Sequence, residues 1–203
     1  MPTQNICLCP VPDRKEGNGE VPGSSEVIGV DKKYQIIYAD PPWQYGDKLI
    51  KGYGAAEHHY STMSIKELCK VKLPNIDNNA VLFLWVTSPL LEESFEIINA
   101  WEFKYRSSFV WNKVKHNYGH YNSVRHEFLL VYTRGSYLPE SKKLLNSVQT
   151  IERSFRHSQK PGIFRHLIEL MYPTGNKIEL FARHKVPGWD HWGDEKNMIE
   201  LFF

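Results

Sequence analysis

Residues 34–39 form the first regular hydrophobic pattern along the chain, and residues 80–86 form a second apolar run. Each run has the length and apolar content of a strand buried inside a sheet. A Ser-Pro pair at 88–89 and two acidic residues follow the second run, which is typical of a capped helix start. We therefore predict a helix that continues to about Trp101.

Two more strands, a helix and a further strand are predicted in the second half of the chain. Residues 109–113 and 128–133 have strand patterns, and we expect them to pair as a long hairpin. Pro161 opens a helix, and a strand follows over residues 177–182. One face of this helix is apolar, with Phe164, Leu167, Ile168 and Met171. The alternation of strands and helices predicts an α/β fold with a parallel sheet.

Size and composition favour one domain without a membrane span. The chain has 203 residues, of which 41% are hydrophobic, and this suits a single domain with a substantial core. Residues 1–30 are rich in proline and glycine, so we predict a flexible leader there and a folded domain over residues 31–203. The longest apolar run is far shorter than a transmembrane helix and the first residues lack signal-peptide features, which favours the cytoplasm.

Neither the cysteines nor the histidines follow a metal-binding pattern. The three cysteines, two of them in the predicted leader, provide neither a disulfide framework nor four zinc ligands. The histidines at 58, 59, 116 and 120 lack a helical His-x-x-x-His pair and acidic partners at ligand spacing. We expect no metal site and free thiols.

The candidate chemistry lies in Asp40, Pro41, Pro42 and Trp43, directly after the first strand. The exocyclic amine of a nucleobase is a poor nucleophile because its lone pair is delocalised into the ring. A carboxylate and a backbone carbonyl can each accept one amine hydrogen and so aim the lone pair at an incoming methyl group. Two prolines make such a turn rigid, and a tryptophan face can stack an extruded base with roughly 1–3 kcal/mol.

This motif follows a buried strand, where ligands bind in open α/β sheets. The methyl donor that it implies is S-adenosylmethionine, which becomes S-adenosylhomocysteine. Its sulfonium makes methyl transfer a single in-line displacement that needs alignment and no metal. The alternative is a strand-ending turn with a buried tryptophan.

A basic segment extends from residue 104 to residue 165, with twelve lysines or arginines against three glutamates. These cations are interleaved with aromatic residues, a mixture suited to binding phosphates and stacking bases. A solvated basic face without a partner is the alternative. The segment favours a nucleic-acid partner.

The motifs together resemble the family of the eukaryotic messenger-RNA adenosine methyltransferase and its bacterial and phage relatives, which methylate the exocyclic amine of adenine. The resemblance covers most of the chain from Tyr34 to Glu195. It rests on Asp-Pro-Pro-Trp at 40–43, His-Tyr-Ser-Thr-Met at 59–63, Leu-Phe-Leu-Trp-Val-Thr at 82–87, Lys-Pro at 160–161, Glu-Leu-Phe-Ala-Arg at 179–183 and Trp-Gly-Asp-Glu at 192–195.

The resemblance implies a Rossmann-like methyltransferase fold, with a mixed seven-stranded sheet that contains one antiparallel strand and a catalytic motif that precedes the cofactor motif. It implies that Lys160 neutralises the carboxylate of the cofactor. A lysine before a helix-opening proline suits this role, because the helix dipole also attracts a carboxylate. The other positions that the resemblance assigns to the cofactor are Asp40, Glu179, Phe181, Arg183, His184, Asp194 and Glu195. An ion pair of Arg183 with one of these glutamates is the alternative for that residue.

Candidate contacts with the target nucleic acid lie on two segments. The resemblance places Tyr60 near the target pocket, on a glycine-containing loop over residues 45–63 that we expect to close over the site. The predicted hairpin supplies the remaining candidates, which are Lys113, Asn122, Arg125 and His126.

The leading hypothesis is an S-adenosylmethionine-dependent N6-adenine methyltransferase of bacterial or phage origin that acts on DNA. RNA is the first alternative. A noncatalytic nucleic-acid-binding subunit is another, although the intact acid at position 40 argues against it, and methylation of the cytosine amine is a third. A homodimer or a different protein partner also stays open.

Overall fold

The computed structural model of this protein describes residues 32–45, 62–118, 121–152 and 159–192, with the side chains of residues 116–118 excepted. These ranges contain seven strands and three α-helices. The strands are β1 (Tyr34–Ala39), β2 (Ile76–Val86), β3 (Lys104–Tyr118), β4 (Ser123–Arg134), β5 (Val148–Thr150), β6 (Lys177–Leu180) and β7 (Asp190–Trp192). The helices are α1 (Ile65–Lys70), α2 (Leu91–Ala100) and α3 (Ile163–Met171), and a 3-10 turn at Ser88–Leu90 leads into α2.

All seven strands of the described chain form one mixed sheet, in the order β5-β3-β4-β2-β1-β6-β7. Strand β4 pairs antiparallel with both β2 and β3, whereas every other pairing is parallel. This confirms the predicted fold, an α/β fold with a mixed seven-stranded sheet that contains one antiparallel strand. The carboxyl ends of β1, β2 and β6 lie along the same edge of the sheet.

Two apolar layers cover the sheet, and the alternation of side chains along β1 divides them. Ile37 and Ala39 face the layer that contains α1 and α2, where Leu68 and Ile97 are buried. The opposite layer contains α3, whose Phe164 and Ile168 pack against Ile36 and Tyr38. Asp40 continues the alternation onto the α3 face.

The predicted elements are present, with shifted ends. Strand β2 begins at Ile76 rather than at residue 80, and the two hairpin strands are longer than their apolar cores. The strand predicted over residues 177–182 ends at Leu180, because Phe181 has a φ of 59° that breaks the ladder. Helix α3 begins two residues after Pro161, behind a turn at Gly162.

No helix in the described ranges has the length and apolar character needed to cross a membrane. Cys69, which is partly buried in α1, is a free thiol as expected.

Candidate active site

The Asp-Pro-Pro-Trp segment forms a tight turn at the carboxyl end of β1. The amide of Trp43 donates to the carbonyl of Pro41 at 2.9 Å, and the amide of Met63 donates to the carbonyl of Pro42 at 2.7 Å. Trp43 and Met63 thereby form a parallel bridge just before α1. The prolines and this bridge fix the backbone from which the Asp40 carboxylate projects.

Trp43 is anchored beneath this turn rather than exposed beside it. Its indole donates to the carbonyl of Trp85, the penultimate residue of β2, at 3.0 Å, and 6% of the residue is exposed. It still contributes to the wall of the pocket described below. Stacking of a target base on Trp43 stays a prediction.

Lys160 connects two carboxylates at this edge of the sheet. Its ammonium lies 2.9 Å from Oδ1 of Asp40 and 3.4 Å from Oε2 of Glu127, and 5.4 Å above the ring centre of Trp85. Burial on its own would lower the pKa of Lys160, but the two carboxylates outweigh it and raise that pKa. The lysine is therefore a fixed positive charge.

Glu127 is the centre of this charge arrangement and was not predicted. Its Oε1 accepts from the ammonium of Lys113 at 2.7 Å, so that it lies between two lysines. Burial would raise the pKa of Glu127, but the ammonium groups of Lys160 and Lys113 lower it below its ordinary value. Asp40, Lys160, Glu127 and Lys113 form a chain of alternating charges.

A signal for Glu127 is present in the sequence. It lies two and four positions before Leu129 and Val131, which are buried on the same face of β4. A carboxylate at the inward position of an apolar strand must have a partner or a function.

A pocket opens at this edge of the sheet, above the ends of β1 and β2. Its described lining consists of Asp40, Pro41, Pro42, Trp43, Tyr45, Thr62, Trp85, Val86, Thr87, Glu127, Lys160 and Arg183. Oε2 of Glu127 is buried and has the Lys160 ammonium at 3.4 Å, without a second donor among the described residues. A carboxylate, a lysine and an arginine in one pocket fit a ligand with amine and carboxylate groups, as S-adenosylmethionine has.

Glu179 and Arg165 form a buried ion pair behind the pocket. The guanidinium of Arg165, on α3, donates to both carboxylate oxygens of Glu179, on β6, at 2.9 and 2.6 Å. It also lies 5.2 Å above the ring of Tyr38. The assignment of Glu179 to the cofactor stays a prediction, and in this structure both of its oxygens are already bound.

The other cofactor candidates lie at the end of β6 where they are described. Phe181 is buried with its ring edge against Trp192, Arg183 lines the pocket and His184 is exposed. Asp194 and Glu195 lie outside the described residues, as does Tyr60 with most of its loop. The roles of all these residues stay predictions.

The predicted target contacts are separated by the structure. Lys113 is buried against Glu127, whereas Asn122 is exposed at the hairpin turn. The ring of His126 packs against Phe128, and Arg125 donates from Nε and Nη2 to the carbonyl of Val114 at 3.0 and 2.7 Å. None of these four residues belongs to the described lining of the pocket.

A mixed seven-stranded α/β sheet with a pocket at the carboxyl end of its first strand is the arrangement of a Rossmann-like methyltransferase. Residues 34–195 match the MT-A70 family model. The chain therefore belongs to the MT-A70 family, and it is a methyltransferase.

Individual relatives agree with this assignment. The chain is 38% identical over 191 residues to the Type II methyltransferase M.MunI of Mycoplasma sp., a match that covers 84% of this chain and 82% of that protein. It is 29% identical to the human N(6)-adenosine-methyltransferase catalytic subunit METTL3, over 86% of this chain and 30% of that protein. An MT-A70-like N(6)-adenosine-methyltransferase of Arabidopsis thaliana is 26% identical, over 83% and 24%. The chain thus spans most of the bacterial relative and less than a third of each eukaryotic one.

Proposed function

We propose that this protein is an S-adenosylmethionine-dependent N6-adenine methyltransferase that acts on DNA. The observation that carries the proposal is the Asp40 carboxylate, held 2.9 Å from the ammonium of Lys160 in a pocket at the end of β1. The similarity to the Type II methyltransferase M.MunI, over 84% of this chain and 82% of that protein, supports DNA as the substrate. The Mycoplasma origin of this relative supports a bacterial source, and the proposal includes a bacterial or phage protein that acts in the cytoplasm.

Asp40 and Pro41 bind the target amine in this proposal. The carboxylate accepts one amine hydrogen and the Pro41 carbonyl accepts the other, so that the nitrogen lone pair points into the pocket. The Pro41 carbonyl already accepts from the amide of Trp43, which leaves one lone pair for the substrate. Pro42 and Trp43 hold this arrangement rigid, and the bound cofactor supplies a methyl group on a sulfonium.

Lys160 binds the carboxylate of the cofactor and keeps the region of Asp40 and Glu127 charge-balanced. The shared ammonium lies 2.9 Å from Asp40 and 3.4 Å from Glu127 and so offsets the repulsion between the two negative charges. Lys113 on the far side of Glu127 adds a second positive charge, which keeps Glu127 ionised and directed at Lys160.

The ends of β6 and β7 hold the adenosine part of the cofactor in this proposal. The residues assigned to it are Glu179, Phe181, Arg183, His184, Asp194 and Glu195. Tyr60, Asn122 and His126 are assigned to the target side, whereas Lys113 and Arg125, which were predicted for the same role, bind Glu127 and Val114 within the protein. The MT-A70 relatives named N(6)-adenosine-methyltransferases make RNA the second candidate substrate.

Replacement of Asp40 tests the proposal. We expect the wild-type protein to transfer labelled methyl groups from S-adenosylmethionine to adenine in duplex DNA, and Asp40→Asn to lose at least about a hundred-fold in kcat, because the amine then lacks an anionic acceptor. Duplex DNA, single-stranded DNA and RNA are assayed in parallel, and the product nucleoside is identified by mass spectrometry.

Thermal unfolding and calorimetric cofactor binding provide the controls, since Asp40→Asn keeps the size of the side chain. Equal kcat in this variant contradicts the mechanism. Methyladenine in RNA instead of DNA contradicts the proposed substrate. No methylation of any substrate by a cofactor-binding protein contradicts activity of this chain alone and indicates a missing partner or a binding subunit.

A further inference from the structure

The hairpin of β3 and β4 contains a bulge directly beside the proposed active site. Asn112 pairs with His126 and Asn117 pairs with Val124. Between these two pairs β3 has four residues, 113–116, whereas β4 has one, Arg125. Three extra residues in one strand bend it and break its ladder at this point. The bulge begins with Lys113, whose ammonium binds Glu127.

Val114, inside this bulge, has a backbone conformation that valine rarely adopts. Its φ is +64°, in the left-handed region, where a β-branched side chain is strongly disfavoured. Such a residue persists where surrounding contacts hold it, and strained backbone tends to cluster at functional sites.

Two side chains hold Val114 in this conformation. The amide of Val114 donates to the side-chain carbonyl of Asn112 at 3.1 Å, and the carbonyl of Val114 accepts hydrogen bonds from Nε and Nη2 of Arg125. Asn112 is fixed in turn, because its side-chain amide donates to Thr150 at 3.3 Å and its backbone carbonyl accepts from Ile151 at 3.0 Å. Arg125 is thus the clamp that β4 provides to the bulge.

We propose that Arg125 is a positioning residue: it holds Val114 in the left-handed conformation and thereby fixes Lys113 against Glu127 at the proposed active site. The proposal rests on the proposed methyltransferase function and deepens it, since it gives Arg125 a role through Lys113 and Glu127 rather than through contact with the target. Loss of the clamp lets residues 113–116 relax, and Glu127 then loses the lysine that holds it toward Lys160.

A second substitution, of Val114 by glycine, distinguishes a positioning role of Arg125 from direct contact with the target. Glycine adopts a positive φ without strain, so Val114→Gly removes the need for the clamp. We expect Arg125→Gln to lower kcat about ten-fold, and Arg125→Gln with Val114→Gly to return kcat to within about two-fold of the Val114→Gly variant. Lys66→Gln, at an exposed position of α1, is the control and should leave kcat unchanged.

The salt dependence of DNA binding provides the second readout. A positioning residue leaves the slope of log affinity against log salt concentration unchanged, whereas a lost phosphate contact reduces it by about one. A reduced slope with unchanged kcat in Arg125→Gln overturns the proposal, and so does a double variant that is no more active than Arg125→Gln.

Amide hydrogen exchange at Val114 and Ile151 tests the clamp without substrate. Faster exchange in Arg125→Gln and recovery in the double variant support it, and unchanged exchange overturns it. Hydrogen exchange distinguishes the Arg125 proposal from the proposed methyltransferase function. Wild-type protein that methylates no substrate contradicts the proposed function, and the exchange pattern still shows whether Arg125 holds Val114.

Discussion

Glu127 is an acid whose charge depends on the two lysines around it. Its side chain is 13% exposed, and the ammonium groups of Lys113 and Lys160 lie 2.7 and 3.4 Å from its two oxygens. Removing one partner of such a buried pair leaves uncompensated charge, which usually costs more than the pair contributes. Glu127 is therefore important for stability as well as for the proposed chemistry.

The stability contribution of Glu127 is expected to depend on pH. Its pKa is lowered in the folded state, so the stabilisation is complete above the ordinary glutamate pKa of about 4.3 and is lost as the pH falls through the lowered value. We expect Glu127→Gln to reduce the free energy of unfolding by about 3 kcal/mol at neutral pH. Urea unfolding of both proteins from neutral to strongly acidic pH should show this difference shrinking.

Glu152→Gln is the matched control, since this carboxylate pairs with Lys115 at the surface and is 57% exposed. Its replacement should change the unfolding free energy by well under about 1 kcal/mol at any pH. A difference between wild type and Glu127→Gln that stays constant down to low pH would refute the expected ionisation of Glu127.

The ion pair between α3 and β6 is both a structural contact and a candidate for cofactor binding. Arg165→Met leaves the buried Glu179 carboxylate unpaired, and we expect a loss of about 3 kcal/mol in the free energy of unfolding. Addition of Glu179→Gln should restore most of this loss, because no uncompensated charge then remains. Chemical unfolding checks both expectations.

Calorimetry with S-adenosylmethionine on the same double variant decides the role of Glu179. Weak cofactor binding by a protein of recovered stability assigns Glu179 to the cofactor. Affinity equal to that of the wild type limits the residue to holding α3 against β6. An Arg165→Met variant as stable as the wild type would contradict the ion-pair argument itself.

Sequence patterns predicted the elements with long apolar repeats and missed the short ones. Strands β5 and β7 have three residues each, too few for a periodic pattern, and they form because β3 and β6 offer free edges. Helix α1 has one buried residue, Leu68, although Ser64 and Glu67 form a capping box that is visible as Ser-x-x-Glu. Asp40 and Lys160 were predicted near one site, whereas their direct contact depends on tertiary packing.

Much of the basic segment of the sequence is used inside the molecule. Lys113, Lys160 and Arg165 pair with carboxylates in or behind the pocket, and Arg134 lies near Glu102. The basic residues exposed in the described part of the segment include Lys104, Arg106, Arg125, Lys142 and Lys143. The surface available for a nucleic acid is thus less basic than the composition of the segment predicts.

Lys142 and Lys143 are adjacent exposed cations on the connection from β4 to β5. Replacing both tests whether the surface of the basic segment binds nucleic acid. We expect Lys142→Ala with Lys143→Ala to weaken DNA binding equally for all sequences, and to reduce the salt slope by about two, because phosphate contacts carry no sequence information. Fluorescence anisotropy at several salt concentrations measures both. An unchanged slope would place the nucleic acid on another face.

Strand β4 pairs with β2 from Phe128 onward, so residues 123–127 and the facing part of β3 project past the end of β2. This projecting part of the hairpin contains Glu127, which lies at the pocket. The strand residues farther out than Glu127 do not pair with β2. Insertions and deletions on the amino-terminal side of Arg125 in β4 therefore leave the register of the central sheet unchanged. Under the proposed function, this outer part of the hairpin can change its contacts with the target independently of the Asp-Pro-Pro-Trp turn.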